Sequence, residues 1–312
     1  MTQFAFVFPG QGSQAIGMLN GFGDNAAVRD TLAEASEVLK FDIGNMIAEG
    51  PKEALDLTTN TQPVMLTAAI ACYRAWIAAG GATPTLVAGH SLGEYSALVA
   101  AGVIKFEDAL PLVRFRAEAM QSAVPVGQGG MAAILGLSDA DVQAACSEAQ
   151  LETNGVVEAV NFNAPAQVVI AGSKAAVERA CEIAKAKGAK RALPLPVSAP
   201  FHSSLLKPAS DALRNYLADV NFSAPAIPLI NNVDVAINLA PVEIKEALIR
   251  QAASPVRWVE TVQKIKTMRI TSLIECGPGK VLSGLTKRID SDLTGEALFD
   301  QASLEKLLAS LN

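Results

Sequence analysis

Short apolar runs that end at glycine or proline alternate along this chain with longer segments of helical spacing. The first run, residues 3–8, stops at Pro9-Gly10, and residues 84–88, 227–230 and 270–275 continue the series. Such alternation favours a mostly parallel sheet covered by helices on both faces, so we expect an α/β fold. Helical spacing is predicted over residues 27–40, 51–57, 61–80, 92–101 and 106–122.

The middle of the chain departs from this pattern. After a glycine-rich linker, residues 124–130, the order is strand, helix, two strands, helix and strand up to residue 197. That order is typical of a ferredoxin-like unit. We therefore predict a larger α/β core formed by residues 1–124 and 199–312, with a small insert formed by residues 125–198.

Composition excludes several classes of function. A net charge of −6 and 5% aromatic residues argue against nucleic acid as the main partner. The longest apolar stretch, residues 63–80, is interrupted by Arg74, which predicts a buried helix rather than a membrane span. The four cysteines have no C-x-x-C spacing and there are two histidines, so we expect reduced thiols and no histidine-rich metal site. The first residues resemble no secretory signal, and we expect a cytoplasmic protein.

The segment Gly89-His90-Ser91-Leu92-Gly93 fits the G-x-S-x-G pattern of a nucleophile elbow, a tight turn from a strand into a helix. A predicted strand leads into it and a predicted helix follows it. Glycines stand two positions before and two positions after the serine, because side chains there would clash, and the helix N-terminus favours developing negative charge. We predict that Ser91 is a nucleophile; the alternative is a glycine-rich turn with an ordinary capping serine.

A serine nucleophile needs a base, and the chain offers His90 and His202. His90 is adjacent to Ser91, so its side chain should leave the elbow in another direction. His202 follows the last strand of the insert, and loops at strand ends are where α/β sheets gather catalytic groups. We therefore predict His202 as the base. None of the aspartates between the two residues looks suited to orient the imidazole, which leaves a backbone carbonyl for that task.

The loop Phe8–Gln14 follows the first strand and allows two interpretations. Gly10, Gly12 and Ala15 match a dinucleotide-binding fingerprint. That interpretation needs a second strand ending in an acidic residue about twenty positions later, and helical spacing occupies that region instead. The alternative is a loop that presents free N–H groups beside the elbow and supplies half of an oxyanion hole.

Arg116 lies on the apolar stripe of the helix predicted over residues 106–122, together with Met120. A charge there is costly unless it is paired, so one interpretation is a buried structural ion pair. The other is a fork for a substrate carboxylate. Arg114 lies on the more polar face and is expected to be solvated.

Together these segments resemble the family of malonyl-CoA:acyl carrier protein transacylases, and the resemblance spans nearly the whole chain. It implies an α/β-hydrolase-like core with a parallel sheet and a ferredoxin-like insert. The residues that carry it are Phe8–Gln14, Gly89–Gly93, Arg116, Asn161–Gly172, Ala199–His202, Gln251, Ser254–Trp258 and Gly277–Lys280.

The resemblance also implies roles at the site. Ser91 would be the acylated nucleophile and His202 its partner, oriented by the backbone carbonyl of Gln251. The implied reaction moves malonyl from coenzyme A to the phosphopantetheine thiol of acyl carrier protein, in fatty acid biosynthesis, through a malonyl-serine intermediate. It needs no metal and no cofactor.

Substrate contacts follow from the same resemblance. The backbone N–H groups of Gln11 and Leu92 would form the oxyanion hole. Arg116 would bind the free malonyl carboxylate, and Gln251 and Met120 complete the substrate-binding set.

Other functions stay open at this point. In polyketide-synthase acyltransferases an aromatic residue before the histidine accompanies the choice of malonyl, and Phe201 stands there in this chain. A trans-acting acyltransferase of polyketide synthesis is therefore one alternative. A serine esterase or thioesterase, with water as the acceptor, is a second alternative. A dinucleotide-binding or non-enzymatic module is a third, from a different class of function.

Overall fold

Two separate sheets organise the part of the chain that the computed structural model describes, residues 3–197 and 199–311. The strands are β1 (Phe4–Phe8), β2 (Leu86–Gly89), β3 (Gly129–Leu135), β4 (Val157–Ala164), β5 (Gln167–Ser173), β6 (Arg191–Pro194), β7 (Leu229–Ile230), β8 (Ser272–Cys276) and β9 (Thr294–Leu298). One sheet has the order β7-β2-β1-β8-β9 and is parallel throughout; the other has the order β4-β5-β3-β6 and is antiparallel.

Helices surround these sheets, and several coincide with the predicted segments. The helix predicted over 106–122 has the same bounds in the structure. The helices are α1 (Ala26–Leu39), α2 (Ile43–Glu49), α3 (Lys52–Leu55), α4 (Thr58–Ala78), α5 (Gly93–Ala100), α6 (Phe106–Ser122), α7 (Asp139–Thr153), α8 (Lys174–Ala186), α9 (Lys207–Ala218), α10 (Pro241–Gln251), α11 (Trp258–Thr267), α12 (Val281–Ile289) and α13 (Gln301–Leu311).

The parallel sheet is buried on both faces, as the apolar runs predict. Every residue of β1 is buried, and alternate side chains point to opposite faces. Phe6 packs edge-on against Trp76 of α4, with ring centroids 5.6 Å apart. Val7 belongs instead to the core cluster of the other face, which includes Trp258 of α11. The α/β prediction is confirmed; β1 and β2 are completely buried, whereas the edge strand β9 has one buried residue, Leu298.

The antiparallel sheet has the strand order of a ferredoxin-like fold. Its strands β3 to β6 and the helices α7 and α8 all lie within residues 125–198, the range predicted for the insert. Ser138 accepts a hydrogen bond from the backbone N–H of Asp141, so it caps α7. Met131 and Val169 on the sheet face away from the helices pack with Phe201, beside the candidate site. Ser198 at the predicted boundary, and Met1, Thr2 and Asn312, lie outside the described residues.

Three local features differ from the sequence prediction. Strand β9 was not predicted, because Thr294–Leu298 has no apolar run; all five of its residues pair with β8. The strand expected over 227–230 is reduced to Leu229–Ile230, which pairs with β2, and Ile230 also forms an isolated antiparallel bridge with Ile237. Pro51 precedes α3 instead of opening it. For β9, pairing with β8 overrode local preference, whereas the position of Pro51 is a one-residue difference in the helix boundary.

The long helix α4 is buried, as predicted for this apolar stretch. Within the described ranges, no helix is both long enough and apolar enough to cross a membrane.

Candidate active site

The turn between β2 and α5 places Ser91 at the carboxyl end of the parallel sheet. Ser91 has a φ of 52°, a left-handed conformation that is strained for a serine. The flanking glycines make this possible: a Cβ at Gly89 would lie 2.0 Å from the carbonyl of Gly93, and a Cβ at Gly93 would lie 2.0 Å from the carbonyl oxygen of Phe8. The elbow is therefore built by backbone contacts that exclude other residues.

His202 lies beside this serine although 111 positions separate them in the chain. The distance from Ser91 Oγ to His202 Nε2 is 2.6 Å, and the distance from His202 Nδ1 to the carbonyl oxygen of Gln251 is 2.9 Å. Because a carbonyl only accepts, Nδ1 carries the proton and Nε2 presents its lone pair to the hydroxyl. Gln251 is the last residue of α10, where helix carbonyls lack intrahelical partners.

Burial keeps this imidazole neutral. His202 is 3% exposed. Burial and the nearby Arg116 guanidinium lower the pKa of His202 to about 3. A neutral imidazole with a free Nε2 lone pair can accept a proton from Ser91 at neutral pH.

The N–H groups expected to form the oxyanion hole lie at the same place. Among residues 3–197 and 199–311, no protein oxygen accepts a hydrogen bond from the backbone N–H of Gln11 or of Leu92. The loop of Gln11 presses against the elbow, because a Cβ at Gly10 would lie 2.5 Å from the carbonyl oxygen of His90. The Gln11 side chain accepts a hydrogen bond of 2.8 Å from Thr58. Two backbone donors are therefore available near Ser91.

Arg116 is buried, at 2% exposed, and its partners are uncharged. Nη1 donates to Gln62 Oε1 at 2.8 Å, and Nη2 donates to Gln251 Oε1 at 2.9 Å and to Ser91 Oγ at 3.2 Å. The face of Tyr95 lies 5.3 Å from its guanidinium carbon. No carboxylate in the described part of the chain forms an ion pair with it, so the structural ion-pair interpretation is wrong. Burial lowers the pKa of Arg116.

Arg114 differs from its prediction as well. It is half-buried rather than fully solvated, since its guanidinium donates to the carbonyl of Leu39 and lies 6.0 Å from the ring centroid of Phe41. It points to another face of α6 and touches none of the site residues named above.

A pocket of about 120 Å³ opens at Ser91. Met120, predicted to bind substrate, is in its wall, whereas Gln251 is fully buried behind Arg116 and His202 and does not line it. The wall is formed by Gln11, Gln62, His90, Ser91, Leu92, Arg116, Met120, Met131, Asn161, Leu195, Val197, Phe201 and His202.

The sequence analysis did not identify the residues that hold Ser91, His202 and Arg116 in place. Asn232 accepts a hydrogen bond of 2.7 Å from the Ser91 N–H and donates one of 2.6 Å to the carbonyl of Gly89. It follows β7, the neighbour of β2, so its place at a strand end was the available signal. Gln62 and Glu94 lie in helices α4 and α5, and their patterns resemble ordinary helical residues.

The dinucleotide-binding interpretation of the first loop fails on topology. The chain forms α1 over Ala26–Leu39, where that motif needs a strand ending in an acidic residue. Asp30 and Glu34, the acidic candidates, both lie within this helix.

An activated serine on an elbow, with a histidine and two free N–H groups, defines a serine acyl-transfer site. The chain belongs to the acyl transferase domain family, whose family model matches residues 5–290.

Individual relatives are similar over their full lengths. A malonyl CoA-acyl carrier protein transacylase of Salmonella typhimurium is 54% identical, with 99% of each chain covered. A crystal structure of an acyl-carrier-protein S-malonyltransferase from Burkholderia pseudomallei matches with a TM-score of 0.97 and 70% identity, over 99% of this chain and 100% of that one. A malonyl-transacylase solved in complex with a type II PKS acyl-carrier protein matches with a TM-score of 0.97 and 50% identity, covering 99% of this chain and 100% of that one.

Proposed function

We propose that this enzyme moves a malonyl group from coenzyme A to the phosphopantetheine thiol of acyl carrier protein, through a malonyl ester of Ser91. One arrangement carries the proposal: the buried guanidinium of Arg116, without a carboxylate partner among the described residues, donates to the same Ser91 hydroxyl that faces the Nε2 of His202. The site thus combines a nucleophile with a cation for an acyl group that is itself anionic. The names of the full-length relatives support this substrate pair.

In the first half-reaction, Ser91 Oγ attacks the thioester carbonyl while His202 Nε2 takes the hydroxyl proton. The developing oxyanion accepts hydrogen bonds from the N–H groups of Gln11 and Leu92. The carbon–sulfur bond then breaks, and the protonated imidazole delivers its proton to the departing CoA sulfur. Malonyl remains as an ester on Ser91.

In the second half-reaction, the thiol of the carrier attacks this ester and passes its proton to His202. The ester bond breaks, and the proton returns to Ser91 Oγ, which restores the resting enzyme. Gln251 keeps the imidazole in the required tautomer in both directions through its backbone carbonyl.

Arg116 holds the far end of the malonyl group. A guanidinium has five N–H groups, and the protein contacts described above use three of them. Nε is buried without a hydrogen-bond partner among the described residues, so a substrate carboxylate accepts from the Nη atoms, including the N–H group that faces Ser91 Oγ in the resting site. Met120 lines the apolar side of the pocket. An acetyl group would leave the buried cation without that anion.

The direct test is intact mass after incubation with malonyl-CoA, followed by peptide mapping and a chase with holo acyl carrier protein. We expect one malonyl adduct on Ser91 that persists without a thiol and moves to the carrier when it is added. Rapid loss of the adduct to water alone would identify a serine esterase or thioesterase and overturn the proposal.

Arg116→Ala should change acyl preference rather than abolish chemistry. The malonyl carboxylate loses its partner, which costs roughly 2–5 kcal/mol for an unpaired charge in such a setting. Acetyl-CoA escapes this cost, so the malonyl-to-acetyl ratio of kcat/KM should fall by about 1.5 to 4 decades, at about 1.4 kcal/mol per decade. The measurement is kcat/KM for both donors.

Arg114→Ala is the matched control for this prediction. Its guanidinium rests against Leu39 and Phe41 on another face of the same helix, so the ratio should stay nearly unchanged. An equal loss for both donors in Arg116→Ala would show that Arg116 supports the fold and not the choice of acyl group.

Transfer to acyl carrier protein should weaken as salt is added, whereas transfer to free pantetheine should not. Acyl carrier proteins are acidic, and this chain has a net charge of −6, so association needs a local basic surface. We propose the groups Lys185–Arg191 and Lys280–Arg288. Lys185 lines a groove of about 480 Å³ that shares Met131, Leu195 and Val197 with the pocket at Ser91.

The measurement is kcat/KM for each acceptor over a salt series. The same salt dependence for carrier and pantetheine would exclude electrostatic steering by the carrier surface.

We assign the enzyme to fatty acid biosynthesis in the cytoplasm. All four cysteines are free and buried, which suits a reducing compartment. A 50% identical malonyl-transacylase is paired with a type II PKS carrier, so the comparison that decides the pathway is kcat/KM with a fatty-acid carrier against a polyketide carrier. Faster transfer to the polyketide carrier would replace this assignment with a trans-acting acyltransferase.

A further inference from the structure

Glu94 is a buried carboxylate directly behind the elbow, in the first turn of α5. It is 1% exposed, and a single oxygen, Oε2, accepts two hydrogen bonds: 2.9 Å from the backbone N–H of Asn232 and 2.8 Å from Nε2 of Gln251. The mechanism above does not use this group. A buried carboxylate is costly, so its contacts indicate what it is there to hold.

Both residues that donate to Glu94, Asn232 and Gln251, also form hydrogen bonds with residues of the reaction site. The Asn232 side chain holds the elbow through the Ser91 N–H and the Gly89 carbonyl. Gln251 holds His202 through its backbone carbonyl and Arg116 through its side-chain oxygen. Its Nε2 also donates to the carbonyl of Ser91, at 3.1 Å. One carboxylate oxygen thus supports the nucleophile, the base and the guanidinium together.

Glu94 determines which way the Gln251 side-chain amide is turned. Arg116 can only donate and an ionised carboxylate can only accept, so Nε2 faces Glu94 and Oε1 faces Arg116. The reversed amide would place an NH₂ group against the guanidinium and an oxygen against the carboxylate. Without an acceptor at position 94, the amide NH₂ keeps one acceptor, the Ser91 carbonyl at 3.1 Å, instead of two. The amide is then held less firmly, and so is the oxygen that it offers to Arg116.

We propose that Glu94 is a positioning residue that locks the Gln251 amide, and that through this amide it fixes Arg116 for selection of a malonyl over an uncharged acyl group. The inference rests on the proposed malonyl transfer. It concerns how the selectivity is held, beyond which residue binds the carboxylate.

The experiment compares single-turnover acylation of Ser91 by malonyl-CoA and acetyl-CoA in Glu94→Leu and Glu94→Gln. Burial raises the pKa of Glu94 to about 7, so the assays are run at about pH 8, where the carboxylate is ionised. We expect Glu94→Leu to lower the malonyl-to-acetyl ratio by about 10- to 100-fold, the range for one lost hydrogen bond to a charged group.

The conservative variant separates the acceptor from the charge. The amide oxygen of Glu94→Gln can take both N–H groups in place of Oε2, so its ratio should stay within about threefold of the wild type. A large loss in Glu94→Gln together with no loss in Glu94→Leu would overturn the proposal.

A double-mutant cycle tests whether Glu94 acts through Gln251. Gln251→Leu keeps the backbone carbonyl for His202 but removes the amide, so it should lower the ratio to a similar extent. Adding Glu94→Leu to it should lower the ratio no further. Independent, additive losses would contradict the proposed linkage. If Glu94→Leu fails to fold, Gln251→Leu decides alone, because an unchanged ratio there removes the link to Arg116.

Glu275→Leu is the matched control. Glu275 is also fully buried, but its carboxylate accepts from the N–H groups of Val281 and Ser283 at the start of α12. Its loss should lower the melting temperature without changing the ratio. Failure of the wild-type enzyme to form a malonyl adduct would reject the proposed function. A labelled wild type with an unaltered ratio in Glu94→Leu would reject this inference alone.

Discussion

Replacing Ser91 with alanine should abolish covalent labelling by malonyl-CoA and reduce transfer to the carrier to background. Without Oγ there is no atom at the elbow that can form the ester, and His202 has no hydroxyl to deprotonate. The measurement is intact mass after incubation with malonyl-CoA, followed by assay of transfer to acyl carrier protein.

The fold should survive this change. Only the contacts of the hydroxyl with His202 and Arg116 are lost. The hydrogen bond from the Ser91 N–H to Asn232 involves the backbone of Ser91, so it remains. Ser96→Ala is the matched control, since its buried hydroxyl on α5, the helix that follows the elbow, has no hydrogen-bond partner in the ranges that the structure covers. It should label normally. A malonyl adduct that persists on Ser91→Ala would mean that another residue is the nucleophile.

Replacing His202 with alanine should slow acylation by about 10² to 10⁴-fold, the usual contribution of a positioned general base. The Ser91 hydroxyl would keep its place at the elbow but lose the lone pair that receives its proton, 2.6 Å away. Rapid-quench measurement of the acylation step isolates this effect from product release.

His90→Ala provides the comparison among histidines. Its Nε2 contacts the side chain of Asn163 at 2.8 Å and its ring packs against Trp258, so its loss should affect acylation far less. If the two effects are reversed, the base has been assigned to the wrong residue.

The wild-type pH profile checks the same imidazole. The pKa of His202 is lowered to about 3, so the group stays neutral and able to accept a proton above that pH. Acylation by acetyl-CoA, which does not use the Arg116 position that Glu94 holds, should therefore stay nearly constant from about pH 8 down to about pH 5. An ordinary histidine would begin to lose activity below its pKa of about 6.5.

The sequence was informative where local physics decides the outcome. Strands such as β1 can be predicted from their apolar runs, because a strand that is buried on both faces has no polar positions. The elbow was predictable for the same kind of reason, since only glycine at positions 89 and 93 avoids a collision with nearby backbone. The ferredoxin-like order of the insert followed from the succession of its patterns. Strand β9 was not predicted, because its pairing with β8 comes from docking and its own residues show no strand pattern.

The same difference between local patterns and tertiary contacts applies to the residues of the site. Pattern and turn chemistry marked Ser91, and the small number of histidines marked His202. Arg116 was visible as a charge on an apolar stripe, but its partners were not, and the interpretation as an ion pair was wrong. Gln62, Asn232 and Glu94 stayed hidden, because polar residues on helices or after short strands look the same whether they face solvent or a buried site.

By itself, then, the sequence determined the alternation of strands and helices and the tight turn that carries Ser91, and it pointed to the histidine that we propose as the base. Only the tertiary structure decided how these groups are held. Contacts such as Ser91 with His202, and Glu94 with Asn232 and Gln251, join residues 111, 138 and 157 positions apart. Such contacts depend on how whole elements dock, and docking follows from the packing of entire faces rather than from any local pattern. The neutral imidazole and the buried guanidinium are therefore properties of the assembled core.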